Sequence, residues 1–273
     1  MTVDQHRTVS VALTIAGTDP SGGAGISADL KTFSALGAFG TAVITAVVTQ
    51  NTRGIADVHQ LDGRTVRGQL ENLLDDVRVD VIKIGMLGTA EVIEVLSDVL
   101  ANCAPVPVVL DPVMVAKSGD RLLAEDTVAA LRARLIPQCD LITPNLPEAA
   151  DLLGVKEASS VAEMARQLHQ LGAMSRGVLL KGGHLQGEHS TDLLLVNDRV
   201  TELFAQRVFT CNTHGAGCTL SAAIAALQPQ RPSWASAVRD AKEYLIGALH
   251  AADLLAIGHG HGPVHHFHSM WDG

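Results

Sequence analysis

Aromatic side chains are scarce in this chain of 273 residues, which holds five Phe, two Trp and one Tyr. Platforms for stacking nucleic-acid bases are therefore lacking. Basic residues are few as well: 20 Lys and Arg stand against 29 Asp and Glu, a formal charge of −9. A nucleic-acid binder needs a basic face to displace counterions, so that partner class is excluded. No apolar run approaches the ~18 residues of a membrane span, and no membrane partner is expected. The apolar stretch Val9–Ala16 after Arg7 imitates a signal segment. Asp4 and Thr14 interrupt it and no clean cleavage site follows, so it is read as a first strand. The four cysteines (Cys103, Cys139, Cys211, Cys218) are scattered and form no CxxC pair. That spacing predicts neither a disulfide framework nor a zinc site, and places the protein in the cytoplasm.

Apolar residues, in contrast, make up 47% of the chain, enough for a large core and too many for a disordered protein. Short runs rich in Val and Ile recur at Val9–Ala16, Ala42–Val48, Val81–Ile84, Val106–Leu110, Leu141–Thr143, Gly177–Lys181 and Leu193–Val196. Helical spacing lies between them, at Ile26–Leu36, Arg64–Val77, Ala90–Leu100 and Glu125–Leu135, with further helices at Cys218–Leu227 and Trp234–Ile257. Strands that are apolar throughout fit a parallel sheet covered on both faces. Asp192–Asn197 and Arg199–Phe204 flank Asn197-Asp198 and read as an antiparallel hairpin at one edge. With no repeat or linker, one α/β domain over residues 1–273 is expected.

Ligands of open α/β sheets bind beyond the carboxyl ends of the strands, and the unusual residues of this chain follow its strands. Gly17-Thr18-Asp19-Pro20-Ser21-Gly22-Gly23-Ala24-Gly25 lacks the Lys-Ser/Thr of a Walker A loop. It meets the looser dinucleotide pattern through Gly23, Gly25 and Ala28, but the second strand runs into Gln50-Asn51 where a ribose-binding acid belongs. A close-packing glycine turn is the plain alternative. Asp29, one turn into the following helix, either faces the cleft or favours the positive helix end.

Asn212-Thr213-His214-Gly215-Ala216-Gly217-Cys218 opens a second helix. Its glycines let backbone N–H groups converge at a helix N-terminus, an anion site. Cys218 falls in the first turn, where the field is expected to lower its pKa below the usual ~8.5. Asn145 and Glu148, three residues apart after Thr143-Pro144, suit a capping box or a pair reaching hydrated Mg²⁺. Asp111-Pro112-Val113 leads into Lys117-Ser118-Gly119-Asp120, a candidate flap. Lys83 interrupts an apolar strand, and Lys181 ends another where it can meet phosphate as a point charge. The tail from His259 to His268 carries five histidines without helical i, i+4 spacing or a carboxylate partner, which argues against a metal site.

Taken together, LTIAGTDPSGGAGISADL (Leu13–Leu30), KIGML (Lys83–Leu87), LDPVMVAKSGD (Leu110–Asp120), LITPNLPEA (Leu141–Ala149), LKGGH (Leu180–His184) and NTHGAGCTLSA (Asn212–Ala222) closely resemble the hydroxymethylpyrimidine/phosphomethylpyrimidine kinases of the ribokinase-like superfamily. The resemblance runs from about Val11 to the GPVHHFH tail. It implies a ribokinase-like three-layer α/β/α sandwich whose central sheet is mostly parallel, with an antiparallel edge hairpin. It implies an ATP- and Mg²⁺-dependent enzyme that phosphorylates a hydroxymethylpyrimidine and then its monophosphate, and a homodimer. By that resemblance Gly17, Asp29, Gln50, Met86 and Val113 would form the pyrimidine pocket. Asn145 and Glu148 would organise Mg²⁺, Gly215, Ala216, Gly217 and Cys218 would form the anion hole, and Asp111, Asn145, Lys181 and Thr213 would meet ATP. Cys218 stands where sugar kinases of the superfamily place an Asp base, and Ala216 where many relatives have Thr. Pyridoxal kinase is the nearest alternative; an NAD-binding oxidoreductase and a non-catalytic pyrimidine-binding protein are the remote ones.

Overall fold

The computed structural model describes residues 9–114 and 124–271. The expected flap at Lys117–Asp120 lies outside them. Strand β1 (Ser10–Ala16) runs into helix α1 (Gly25–Ala35), and β2 (Ala38–Ile44) returns beside β1 in parallel. At Thr45 the chain leaves this sheet: its N–H donates to the Ala16 carbonyl (3.0 Å) and its hydroxyl to the Met86 carbonyl (2.7 Å). The expected strand Ala42–Val48 is thus two strands. The second, β3 (Ala46–Asn51), pairs with β4 (Gly54–Gln60) in a separate antiparallel hairpin. Half-exposed alternation hid β4, because a two-stranded ribbon buries little of either face.

Helix α2 (Gly63–Asp76), capped by Asp62, precedes β5 (Val81–Ile84), and α3 (Ala90–Asn102), capped by Thr89, precedes β6 (Val108–Leu110). The chain then forms α4 (Glu125–Ala130), a π-helical turn at Leu131–Leu135 and β7 (Leu141–Ile142). Helices α5 (Leu146–Leu153) and α6 (Val161–Gly172) lead to β8 (Gly177–Leu180). The edge hairpin is β9 (His189–Val196) and β10 (Arg199–Gln206), joined through Asn197 and Asp198, both at positive φ as a tight primed turn requires. Two helices close the described chain, α7 (Ala216–Leu227) and α8 (Trp234–His250). The latter stops seven residues before the expected Ile257, and the chain passes through left-handed Ala256 and Gly258.

The main sheet has the order β10-β9-β8-β7-β6-β5-β1-β2, in which only β9 runs against the other strands. Neighbouring residues of each strand serve different cores. Leu13, Ile82, Val108 and Leu180 pack with α2 to α6, whereas Ala12, Val81, Val109 and Leu179 pack with α1, α7 and α8. Strands covered twice must be apolar at every position, which is why they read as continuous runs. Helix α7 is buried from Thr219 to Leu227, consistent with its Ala-rich, all-round apolar sequence. From β1 the chain first adds β2 on one side and later β5 on the other. That reversal opens a crevice at the carboxyl ends of β1 and β5.

Candidate active site

A cleft of about 1080 Å³ opens at that crevice. Twelve of the fourteen site residues expected from the sequence line it: Gln50, Met86, Val113, Asp111, Asn145, Glu148, Lys181, Thr213, Gly215, Ala216, Gly217 and Cys218. Gln50 reaches it because the β3–β4 register slips between Thr49 and Gln50, and such a bulge re-aims a side chain. Gly17 and Asp29 do not line it. Gly17 lies buried beneath Met86, whose Cε would stand 2.5 Å from a Cβ at position 17. Its part is to admit the Met86 side chain.

Asp29 is a clearer correction to the expected substrate contact. It is wholly buried, accepts a hydrogen bond from the Thr14 hydroxyl (2.6 Å), and pairs with Lys83 Nζ at 2.8 Å. Burial opposes charge on both groups, yet attraction to Asp29, Cys218 and Asp111 holds the Lys83 ammonium above its ordinary pKa. Lys83 lines the cleft floor and Asp29 supports it from below.

At the other wall, Lys181 Nζ lies 2.8 Å from Asp111 Oδ1 and 4.0 Å from Glu148 Oε2. The Thr143 hydroxyl also donates to Asp111 (3.0 Å). Although burial disfavours their charges, this attraction keeps Lys181 charged and the Asp111 carboxyl below its usual range. Glu148 is pushed up to about 7, chiefly by burial and partly by Asp111, with Lys181 opposing. Asn145 and Glu148 form a full capping box: Glu148 N–H donates to Asn145 Oδ1 and Asn145 N–H to Glu148 Oε2, both at 2.8 Å. The capping reading of this spacing is therefore realised, on a helix start that faces the cleft.

Gly215 caps α7 in the left-handed conformation (φ 74°) without a side-chain cap. Gly215, Ala216, Gly217 and Cys218 all line the cleft, and the Ala216 N–H donates to the Thr213 carbonyl (3.2 Å). Cys218 departs from expectation. Burial pushes its thiol up to about 11, outweighing the nearby Lys83 ammonium and a bond from the Gly25 N–H. Desolvation outweighs the helix field even though Cys218 lines the cleft, because the half-buried sulfur is packed among protein groups that replace water.

Sequence reasoning missed three features. In the apolar group of Val208, Leu245, Ile246 and Leu249, the last three carry a weak signal, helical spacing on α8. Arg207 lines the cleft but spends its guanidinium on the carbonyls of Gly183, Leu185, Gly187 and His189. The third is Asp19, whose carboxylate accepts the N–H groups of Ser21, Gly23 and Ala24. A loop whose donors are filled by its own carboxylate cannot also cradle a pyrophosphate, which removes the dinucleotide reading. The tail histidines pack the fold: His266 Nε2 lies 3.1 Å from the Thr219 hydroxyl, and the Tyr244 hydroxyl donates to the His266 carbonyl. Among the described residues, no helix is long and apolar enough to cross a membrane.

A family model described as phosphomethylpyrimidine kinase matches residues 19–265. A hydroxymethylpyrimidine/phosphomethylpyrimidine kinase of Escherichia coli K12 is 55% identical over 261 residues, covering 95% of this chain and 98% of the relative. A phosphomethylpyrimidine kinase structure from Clostridium difficile has a TM-score of 0.78 at 38% identity, covering 88% of this chain and 99% of that one. A Staphylococcus aureus pyridoxal kinase in complex with AMP-PCP and pyridoxal has a TM-score of 0.88 at 33% identity, covering 96% and 95%.

Proposed function

The chain belongs to the phosphomethylpyrimidine kinase family, and we propose that its cleft carries ATP and a pyrimidine alcohol end to end across the first turn of α7. The fold is ribokinase-like, and the protein is a kinase of thiamine biosynthesis. It phosphorylates 4-amino-5-hydroxymethyl-2-methylpyrimidine and then the monophosphate. The observation that carries the arrangement is the spread of unlike groups along one end of the sheet: Met86 follows β5 and packs at Gly17 after β1, whereas Asp111, Glu148 and Lys181 follow β6, β7 and β8 and cluster together.

The Gln50 amide offers both a donor and an acceptor, matching an aminopyrimidine edge. Met86 and Val113 supply the apolar contact that the few aromatics cannot. The adenine lies against Val208, Leu245, Ile246 and Leu249, and Thr213 and Lys181 approach the phosphates. The donor set fits Mg²⁺ as a hydrated ion: buried Glu148, forced toward neutrality at about 7, and the Asp111 carboxylate are an acidic pair that one ammonium only partly balances. Glu148, with Asn145 beside it, would hold the ion, which would supply charge neutralisation on the phosphates.

In the first transfer the substrate oxygen bonds the γ-phosphorus, the bond to the β-phosphate oxygen breaks to leave ADP, and the hydroxyl proton passes to solvent; in the second a phosphate oxygen of the monophosphate is the acceptor. The N–H groups of Gly215, Gly217 and Cys218 stabilise charge on the group in transit. A neutral Cys218 thiol is a poor base, so its part is to orient the hydroxyl and receive its hydrogen bond as the proton leaves. Phosphoryl transfer asks mainly for positioning and charge stabilisation, which this site supplies.

We further read the chain as one cytoplasmic domain that pairs with a second copy. Val47 on β3 and Phe39 on β2 offer exposed apolar surface for that contact, and light scattering in solution tests it. The likeness to pyridoxal kinases favours a second, minor substrate with a hydroxymethylpyridine ring. ADP release measured with the pyrimidine alcohol, its monophosphate and pyridoxal is the deciding experiment. A higher kcat/KM for pyridoxal than for both pyrimidines would reverse the order.

A further inference from the structure

Asp19 follows Thr18 at the end of β1 and is buried. A buried carboxylate persists only with enough donors around it. Here the Ser21 N–H (2.8 Å) and hydroxyl (2.7 Å) donate to Oδ1, and the N–H groups of Gly23 (3.1 Å) and Ala24 (2.7 Å) to Oδ2. These bonds are local and shape the loop after β1. The fifth is not local: His214 Nε2 lies 2.8 Å from Oδ2 across 195 residues of sequence. Against the cost of burial, His214 and Ser21 hold the carboxyl below its usual range, so it is ionised.

His214 immediately precedes Gly215, and its own N–H is fixed on the Gly262 carbonyl (3.0 Å). The two loops touch elsewhere as well. A Cβ on Gly215 would overlap the Gly23 carbonyl, and a Cβ on Gly23 would overlap the His214 ring. One carboxylate therefore joins the loop after β1 to the residue that immediately precedes the anion hole.

We propose that Asp19 is a positioning residue for phosphoryl transfer, locking the loop after β1 to the first turn of α7 through His214, so that bound substrate and anion hole stay aligned. The proposal rests on the kinase reading of this cleft. Misalignment of about 1 Å in such a site costs on the order of 100-fold in rate, so the effect belongs in kcat.

The test uses the full chain and the variants D19N, H214A, H214Q and D19N/H214Q, with ADP release as the readout and melting temperature as the check on folding. Wild-type turnover of the pyrimidine alcohol, measured first, tests the kinase reading by itself; ratios between variants test Asp19. Losing a charge-assisted bond, at roughly 1.5–3 kcal/mol, predicts that D19N and H214A lower kcat about 10- to 100-fold with the ATP KM within about threefold. The Gln side chain places an amide donor near the lost Nε2. H214Q is therefore expected to regain most of the activity that H214A loses, and to regain none of it when Asp19 is Asn. Rescue by Gln that depends on Asp19 is not produced by a general loss of folding. Variants that melt earlier but keep wild-type kcat per folded molecule, or equal activity of H214A and H214Q, would overturn the proposal.

Discussion

Lys83 Nζ and Asp29 Oδ2 stand 2.8 Å apart with neither side chain exposed, and Asp29 Oδ1 has no hydrogen-bond partner among the described residues. Such a pair is held by mutual need. Removing one partner leaves an uncompensated charge, which costs about 3–5 kcal/mol, whereas replacing both by apolar groups is often neutral. K83M is therefore expected to destabilise the protein by about that amount in urea unfolding. K83M/D29L is expected to recover much of it. Equal losses in the single and double variants would show that packing, not charge, governs the cleft floor.

Gln50 reaches the cleft through the bulge in β3, in the hairpin that leaves the main sheet after β2, whereas Lys181 and Glu148 follow β8 and β7. Its loss leaves ring donors and acceptors unpaired at a cost of roughly 1–3 kcal/mol. Q50A is expected to raise the pyrimidine KM about 10- to 100-fold and leave the ATP KM nearly unchanged. Steady-state kinetics with each substrate varied in turn checks this. Equal increases would place Gln50 outside the pyrimidine end.

The Cys218 thiol, pushed up to about 11, is neutral at pH 7. Because the thiolate is the species that alkylates, its reaction with iodoacetamide is expected to be slow at pH 7–8 and to climb about tenfold per pH unit toward 11. A plateau by pH 8 would mean that the helix field prevails after all. C218A is expected to remove most turnover while pyrimidine binding, followed by calorimetry, persists. Full activity would end the role assigned to the sulfur.

Much of this site was legible because its chemistry is local in sequence. The glycines before α7, the Asn145–Glu148 spacing and the polar ends of β1, β6 and β8 each announce a strand or helix terminus facing the crevice. What stayed hidden depends on distant residues meeting. Nothing near Asp29 reveals that Lys83, 54 positions away, will claim it. Nothing near Asp19 points to His214. The Cys218 shift was misjudged for the same reason: a helix N-terminus is visible in sequence, while the depth at which it is buried belongs to the packed whole. Strand β4 escaped because its hairpin never enters the sheet whose pattern identified the others.

Glu148 tests the proposed metal role. E148Q keeps the side chain's shape and its capping oxygen while removing the charge. It is expected to raise the Mg²⁺ concentration for half-maximal turnover about 10-fold or more, with a smaller effect on the pyrimidine KM. Titration of activity with Mg²⁺ at fixed ATP separates the two. An unchanged Mg²⁺ requirement would return Glu148 to a purely capping function.

His266 links the tail to acid stability. Burial, aided by the Lys31 and His265 charges, lowers its pKa to about 3, while a histidine in the unfolded chain titrates near 6.5. As pH falls below 6.5 the unfolded chain takes up a proton that the folded protein refuses. Stability contributed by the neutral ring is therefore complete above pH 6.5 and is lost progressively down to about pH 3. The loss at the acid end is on the order of a few kcal/mol. Urea midpoints measured stepwise from pH 7 to 4 are expected to fall along this curve. They should fall less steeply in H266Q, which keeps a polar group near the Thr219 hydroxyl but cannot titrate. Parallel curves for the two proteins would assign the acid sensitivity to other groups.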